Sequence, residues 1–333
     1  MKTRRYDSPD APTPQLPHKV RQVEAGEAGA GQRLDNFLAR ELREVPKSHI
    51  FRVIRKGEVR VNGKRAKPEQ RLQATDIVRI PPVRLGDAAP PRRAPPAMMD
   101  SLSGAIVYED PRLLVIDKPA GMAVHGGSGV NFGVIEALRA ARPDETLELA
   151  HRLDRDTSGL LLIARKPAAL RTLHALLRDG LIEKKYLALV KGKWELGKKR
   201  IDVPLRTDTR VGGERTVKAH ESGKEAVSEF RPVQFFGKRA SLVEVALETG
   251  RTHQIRVHAT HAGYPLAGDA KYGDEKFNED MKHFGLGRMF LHAHQLSFTW
   301  PDTGVEFSAS APLPAELKAV IDTLSAPREK KTG

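Results

Sequence analysis

Residues 151–166 read HRLDRDTSGLLLIARK, placing His151, Arg152, Asp154, Arg155 and Asp156 ahead of an apolar run that closes on Arg165 and Lys166. A carboxylate where a strand meets a polar turn can serve as nucleophile or proton acceptor. It can equally be a turn-stabilising Asx residue that neutralises the arginines around it. Thr157, Ser158 and Gly159 supply hydroxyl and backbone donors that suit either role for Asp154, and residue type alone leaves both open. Two further basic stretches carry comparable side chains. EKKYLALVKG holds Tyr186, and TGRTHQIRVH holds Arg251, Ile255 and Arg256.

Other chemistries fit these residues less well. HRLDRD superficially matches a kinase catalytic loop, but no glycine-rich phosphate loop, lysine strand or DFG accompanies it. GEAGAG has no strand before it to make a nucleotide site. His253, His258 and His261 fall in one expected helix, where His253 and His258 stand about 140° apart around the axis and cannot pair as metal ligands. His292 and His294 would share a strand face without a carboxylate cluster beside them. No metal site is assigned.

The chain of 333 residues carries 56 lysines and arginines against 42 acids, a formal charge of +14 that suits a polyanion such as nucleic acid. It has no cysteine, which excludes disulfides, thiolate nucleophiles and cysteine metal sites. No apolar run approaches the ~18 residues of a membrane span, and no apolar segment follows the charged start. The expectation is a soluble, cytoplasmic protein without a membrane partner.

The elements that must position these side chains fall into two groups. Residues 1–18 are rich in proline and polar groups and are expected to form a disordered tail. In residues 19–82, Leu34, Phe37, Leu38 and Leu42, then Ile50, Val53 and Ile54, recur at helical spacing, with Gly57 as a stop signal. EVRVNGKRAK then alternates around an Asn62-Gly63 hairpin turn, and DIVRI adds a strand. This helix, helix, sheet module is dense in Arg33, Lys47, Arg52, Arg55, Lys56, Arg60, Lys64 and Arg65, which would make a basic RNA-binding face. Residues 83–103 lack periodicity and read as an extended linker.

Residues 104–325 are rich in strands with interspersed helices. Expected strands are AIVYED, LLVIDKP, LELAHRL, GLLLIARK, KKYLALVKG, SLVEVALETG, FLHAHQLSF and GVEFSA; GVIEALRAA and PAALRTLHALLRDG read as helices. The fold class is α+β: a mostly antiparallel sheet with flanking helices and a central cleft, preceded by the small module. Residues 326–333 form a second disordered tail.

Two resemblances sharpen this reading. QRLDNFLARELREVPKSHIFRVIRKGEVRVNGKRAKPEQRL resembles the small RNA-binding domain shared by a small-subunit ribosomal protein and many RNA-modifying enzymes. DKPAGMAVHGG, HRLDRDTSG, EKKYLALVKG, TGRTHQIRVH and HAGYPLAGDAKYG together resemble the pseudouridine synthases that modify ribosomal and transfer RNA. The resemblance implies a cofactor-free isomerase of uridine, acting as a monomer on 23S ribosomal RNA or its large-subunit precursor. It implies that Asp154 is the essential carboxylate, kept charged by Arg256. Tyr186 would pack on the target base, and Leu160 and Ile255 would wall the uracil pocket. Arg152, expected on the same strand face as Asp154, would fill the stack that the uridine vacates. Lys118 and Arg251 would meet RNA phosphates or brace the motifs. A catalytically silent ribosome-assembly factor, or a synthase acting on another RNA such as tRNA, are the alternatives.

Overall fold

A computed structural model describes residues 20–42, 45, 47–82, 95–126, 132–209 and 215–326. The expected tail at 1–18, residues 327–333 of the expected tail at 326–333, and residues 83–94 of the expected linker lie outside these. The chain divides into two compact units, residues 1–92 and 93–333.

The first unit contains β1 (Arg21–Glu24), α1 (Gly26–Gly29), α2 (Leu34–Glu41), α3 (Lys47–Lys56), β2 (Arg60–Val61), β3 (Lys64–Arg65) and β4 (Ile77–Ile80). Its strands order as β1-β4-β2-β3. The two helical apolar stripes meet the sheet in one core that includes Leu34, Phe37, Leu38, Ile50, Val53, Ile54 and Val78. Asn62 and Gly63 both take positive φ, 50° and 75°, the mirror-image turn that suits a two-residue hairpin. The short β1 and α1 carry too few residues for a periodic signal and went unread in the sequence.

The second unit contains α4 (Pro96–Gly104), β5 (Ile106–Glu109), β6 (Leu113–Lys118), α5 (Val134–Ala141), β7 (Glu148–Leu149), β8 (Ser158–Ala164), α6 (Pro167–Arg178) and β9 (Glu183–Lys191). It continues with β10 (Lys199–Asp202), β11 (Leu205–Thr209), β12 (Arg215–Ala219), β13 (Val227–Phe236), β14 (Ala240–Leu247), α7 (Gln254–His261) and α8 (Glu275–Lys282). It ends with β15 (Leu291–Thr299), β16 (Glu306–Ser310) and α9 (Ala315–Ser325). Ten strands form one sheet, in the order β10-β13-β14-β9-β15-β8-β6-β5 with β16 on β15 and β7 on β8; β11 and β12 form a separate hairpin.

Every described pairing in the large sheet is antiparallel except β15 with β8, where His292 lies opposite Ser158 and Ala293 opposite Gly159. Gly159 sits at φ 112°, and a Cβ there would fall 2.3 Å from the Ala293 carbonyl oxygen, so only glycine fits. Alternation along β8 sends Leu161 and Ile163 to a core shared with α4, α5 and α7. Leu160, Leu162 and Ala164 face the opposite core, under α6. The α+β reading holds. No helix among the described residues is long and apolar enough to cross a membrane.

Three expectations are corrected. Residues 96–104 are helical, not part of an extended tether: Pro96 occupies the first turn, and Met98, Met99 and Leu102 pack on the core, with Leu102 fully buried. LELAHRL pairs only at Glu148 and Leu149, so Arg152 and Asp154 stand on a loop and not on a strand. α7 starts at Gln254, leaving His253 outside the helix.

Candidate active site

The loop between β7 and β8 carries Asp154. Leu153 buries into the core, the Thr157 amide donates to the Asp154 carbonyl at 3.2 Å, and Lys118 braces the loop from the end of β6. Lys118 is fully buried, with Nζ donating to the carbonyls of Pro119 (2.8 Å), Met122 (2.9 Å) and Arg155 (3.1 Å). Burial pushes this ammonium down to about 7. Three carbonyls that can only accept, however, require three N–H donors, which only the charged form supplies. Lys118 therefore locks the loop and has no proton left for RNA; of its two readings, phosphate contact is corrected and bracing of the motif fits.

The α7 end of the site is equally built. Gln254 accepts from the Arg251 amide (2.9 Å) and from Thr249 Oγ1 (2.7 Å), and donates to the Val227 carbonyl and to Ser228 Oγ (both 2.9 Å). This fixes the turn into the helix, and one turn of α7 then aims Arg256 at two carboxylates. Its Nε and Nη2 grip Asp269 at 2.7 and 2.8 Å, and its Nη1 reaches Asp154 Oδ2 at 3.3 Å. Burial works against the guanidinium charge, but Asp269 and Asp154 together hold it above its ordinary value. The distant partners Asp154 and Arg256 thus meet.

Two adjoining cavities open on Asp154. The larger, about 1420 Å³, is lined by Arg152, Arg155, Arg256, Lys271 and Arg288, and on one side by Thr207, Asp208, Thr216, Val217 and Lys218 of the β11–β12 hairpin. Its size and its basic walls suit a stretch of polynucleotide. The smaller is an apolar recess walled by Leu153, Tyr186, Leu247, Ile255 and Leu291. Burial, and then the charge of Asp154, push the Tyr186 phenol up, so its hydroxyl stays protonated. Ile255 occupies the expected wall. Leu160 does not: it points to the opposite core against α6, and Leu291 and Leu247 stand where it was expected. Arg152 is exposed and lines both cavities. Arg251 lines the recess, with its Nε on the Glu225 carbonyl at 2.9 Å. Among the described residues no group of His, Asp or Glu side chains gathers as metal ligands.

Residue chemistry missed Asp269, His253 and Tyr272. Asp269 and Tyr272 lie in HAGYPLAGDAKYG, where a carboxylate between small residues was the available signal. In the first unit Arg33, Arg52, Arg55, Lys56, Arg60, Lys64 and Arg65 are all exposed, while the side chain of Lys47 lies outside the described residues. Arg33 is spent on Asp35 at 2.6 Å. Arg55 and Lys64 make no side-chain hydrogen bond or ion pair with a described residue.

A mixed sheet with a buried tyrosine, flanked by a loop aspartate and a helix arginine around one recess, in a chain with a basic helix-helix-sheet module, fits an RNA-modifying enzyme. The chain belongs to the RNA pseudouridylate synthase family, whose pattern matches residues 112–261, and carries an S4 domain at residues 32–78. It is 49% identical to Ribosomal large subunit pseudouridine synthase C of Pasteurella multocida (strain Pm70), over 94% of this chain and 95% of that one. To the protein of the same name from Escherichia coli (strain K12) it is 48% identical over 92% and 96% of the two chains. Among solved structures, Human RNA Pseudouridylate Synthase Domain Containing 1 superposes with a TM-score of 0.55 at 27% identity, over 68% of this chain and 90% of that one. Human RNA Pseudouridylate Synthase Domain Containing 4 shares the fold, with a TM-score of 0.57 at 24% identity over 68% and 95%.

Proposed function

We propose that this RNA pseudouridine synthase isomerises uridines of 23S large-subunit ribosomal RNA, with Asp154 as the catalytic carboxylate and no cofactor. The observation that carries the reading is the setting of Asp154. One oxygen faces Arg256, while the other accepts no hydrogen bond from a described residue, at the mouth of a recess walled by Tyr186 and Ile255. Relatives about half identical across nearly their whole length bear the large-subunit name, which supports the rRNA target.

The conversion breaks the N1–C1′ bond, turns the uracil and joins C5 to C1′, with the C5 proton replaced by one on N1. Substrate and product are isomers, so no oxidant or reductant is consumed. Asp154 acts either as nucleophile on the ribose or as base at the neighbouring sugar position. Arg256 pairs with it at 3.3 Å, Tyr186 lies against the base, and the apolar walls hold the detached uracil. Arg152, free of described partners and next to the recess, enters the stack that the flipped uridine leaves, offsetting a cost of a few kcal/mol. Asp154, Tyr186 and Arg256 come from one chain, so a monomer suffices for the site, and a cytoplasmic location agrees with an rRNA target.

The test maps pseudouridines in 23S rRNA of cells with and without the gene, then restores wild type or Asp154→Asn. Sites should vanish on deletion and return only with wild type. Unchanged rRNA with altered tRNA would overturn the target, and restoration by Asp154→Asn would overturn the catalytic assignment.

A further inference from the structure

We propose that His253 is a positioning residue for Asp154, the last link of a hydrogen-bond chain that starts on the β11–β12 hairpin. The inference rests on Asp154 being the catalytic carboxylate. His253 adopts a left-handed backbone, φ 55°, one of two non-glycine residues to do so among those described. Side chains resist this conformation, and such strain persists where the surroundings impose it. Here the surroundings are a tether: His253 Nδ1 lies 2.8 Å from the Tyr272 hydroxyl, which itself lies 2.9 Å from the Val217 amide of β12.

Val217 N–H can only donate, so the Tyr272 oxygen accepts from it and keeps its own proton to give. In the tautomer that lets the ring serve Asp154, the hydroxyl donates to His253 Nδ1 and Nε2 carries the ring proton. That Nε2 stands 3.9 Å from Asp154 Oδ2, the same oxygen that Arg256 Nη1 approaches at 3.3 Å. Burial pushes His253 below the ordinary imidazole value although Asp154 pulls the other way, consistent with a neutral ring at pH 7. Two donors thus flank Oδ2, and Oδ1 is the oxygen left to react. The 3.9 Å gap closes to a hydrogen bond with a shift of about 1 Å. The hairpin that begins the chain also walls the large cavity, so RNA seated there bears on the group that orients the carboxylate.

Single-turnover rates of pseudouridine formation on transcribed 23S rRNA test this with His253→Ala, His253→Gln and Tyr272→Phe. Glutamine and alanine carry the same backbone strain, so the difference between them reads the N–H that glutamine can return to the Nε2 position. His253→Ala and Tyr272→Phe should slow the bound complex by about 10- to 100-fold, with half-saturating RNA changed by no more than about twofold. His253→Gln should recover to within about fivefold of wild type. Glutamine no better than alanine, or a loss confined to RNA affinity, would overturn the proposal. Tyr272→Phe removes one oxygen and keeps the test open if the His253 variants do not fold. Asp154→Asn run in parallel separates the two readings: turnover by that variant overturns the catalytic assignment, whereas an inactive Asp154→Asn beside a wild-type-like His253→Ala overturns only the role of His253.

Discussion

Arg256 serves two carboxylates in opposite conditions. Asp269 is fully buried and accepts from Arg256 Nε and Nη2 and from the Lys271 and Tyr272 amides, at 2.7, 2.8, 2.9 and 3.1 Å. Burial disfavours its charge, but the guanidinium and the two amides hold it below the ordinary carboxylate range. Asp154 is 17% exposed and has one arginine nitrogen at 3.3 Å. A carboxylate saturated with donors has no oxygen to offer a substrate. The difference fits architecture for the tight pair and, on the proposed reading, chemistry for the loose one: Asp269 fixes the guanidinium so that its remaining nitrogen can face Asp154.

The sharpest way to break that division is to neutralise each carboxylate in turn. Asp154→Asn should lower the single-turnover rate by about 10,000-fold or more while leaving the melting temperature and RNA affinity near wild type. Asp269→Asn should do the reverse in emphasis. It leaves the buried Arg256 charge without its main partner, costing about 3 to 5 kcal/mol, which calorimetry would register as a melting point lower by about 10 °C. A stable Asp269→Asn protein would refute the architectural role.

A smaller effect comes from acid. His292 is fully buried, its Nδ1 accepting from Ser158 and its Nε2–H donating to the Ala311 carbonyl; burial, which outweighs that carbonyl's pull, pushes it from 6.5 down to about 4. The unfolded chain binds this proton as pH falls through 6.5, and the folded one does not until about 4. This contribution is therefore fully present above 6.5 and lost between those values, at about 1.4 kcal/mol per pH unit. Melting curves of wild type and His292→Gln between pH 7 and 4 should differ in slope by one proton, and parallel curves would refute the assignment.

The smallest effect lies outside the catalytic unit. Replacing Arg55, Arg60 and Lys64 by glutamine should leave the rate of the bound complex unchanged and make rRNA binding less salt-dependent, by up to about 0.9 in the log-log slope for each lost phosphate contact. A titration with an unaltered slope would remove that face from the RNA path.

Much of the site was legible because chemistry-bearing residues stood in separated stretches that only a common fold would unite: Asp154 at 154, Tyr186 at 186, Arg256 at 256. The misreadings share a cause, which is that a side chain's direction depends on what covers it. Leu160 and Leu161 are equally apolar, and only the helices on either side of β8 decide which of them meets the core behind the recess. Lys118 stayed open between phosphate contact and brace because its three carbonyl partners come from a turn and a distant loop. His253 was judged as a helical residue, yet it stands just outside α7, where angular spacing says nothing. α4 escaped notice because the prolines ahead of it mask the short stripe of Met98, Met99 and Leu102.

The parallel pairing of β15 with β8 also carries a temporal consequence. It joins His292 to Ser158 across 134 residues and sets Gly159 against Ala293, next to the loop of Asp154. Contacts so distant along the chain form late, after the loop between them has been closed. A nascent polypeptide thus carries the Asp154 loop out of the ribosome long before β15 can pair beside it, and the recess that Leu291 walls closes only after β15 has emerged.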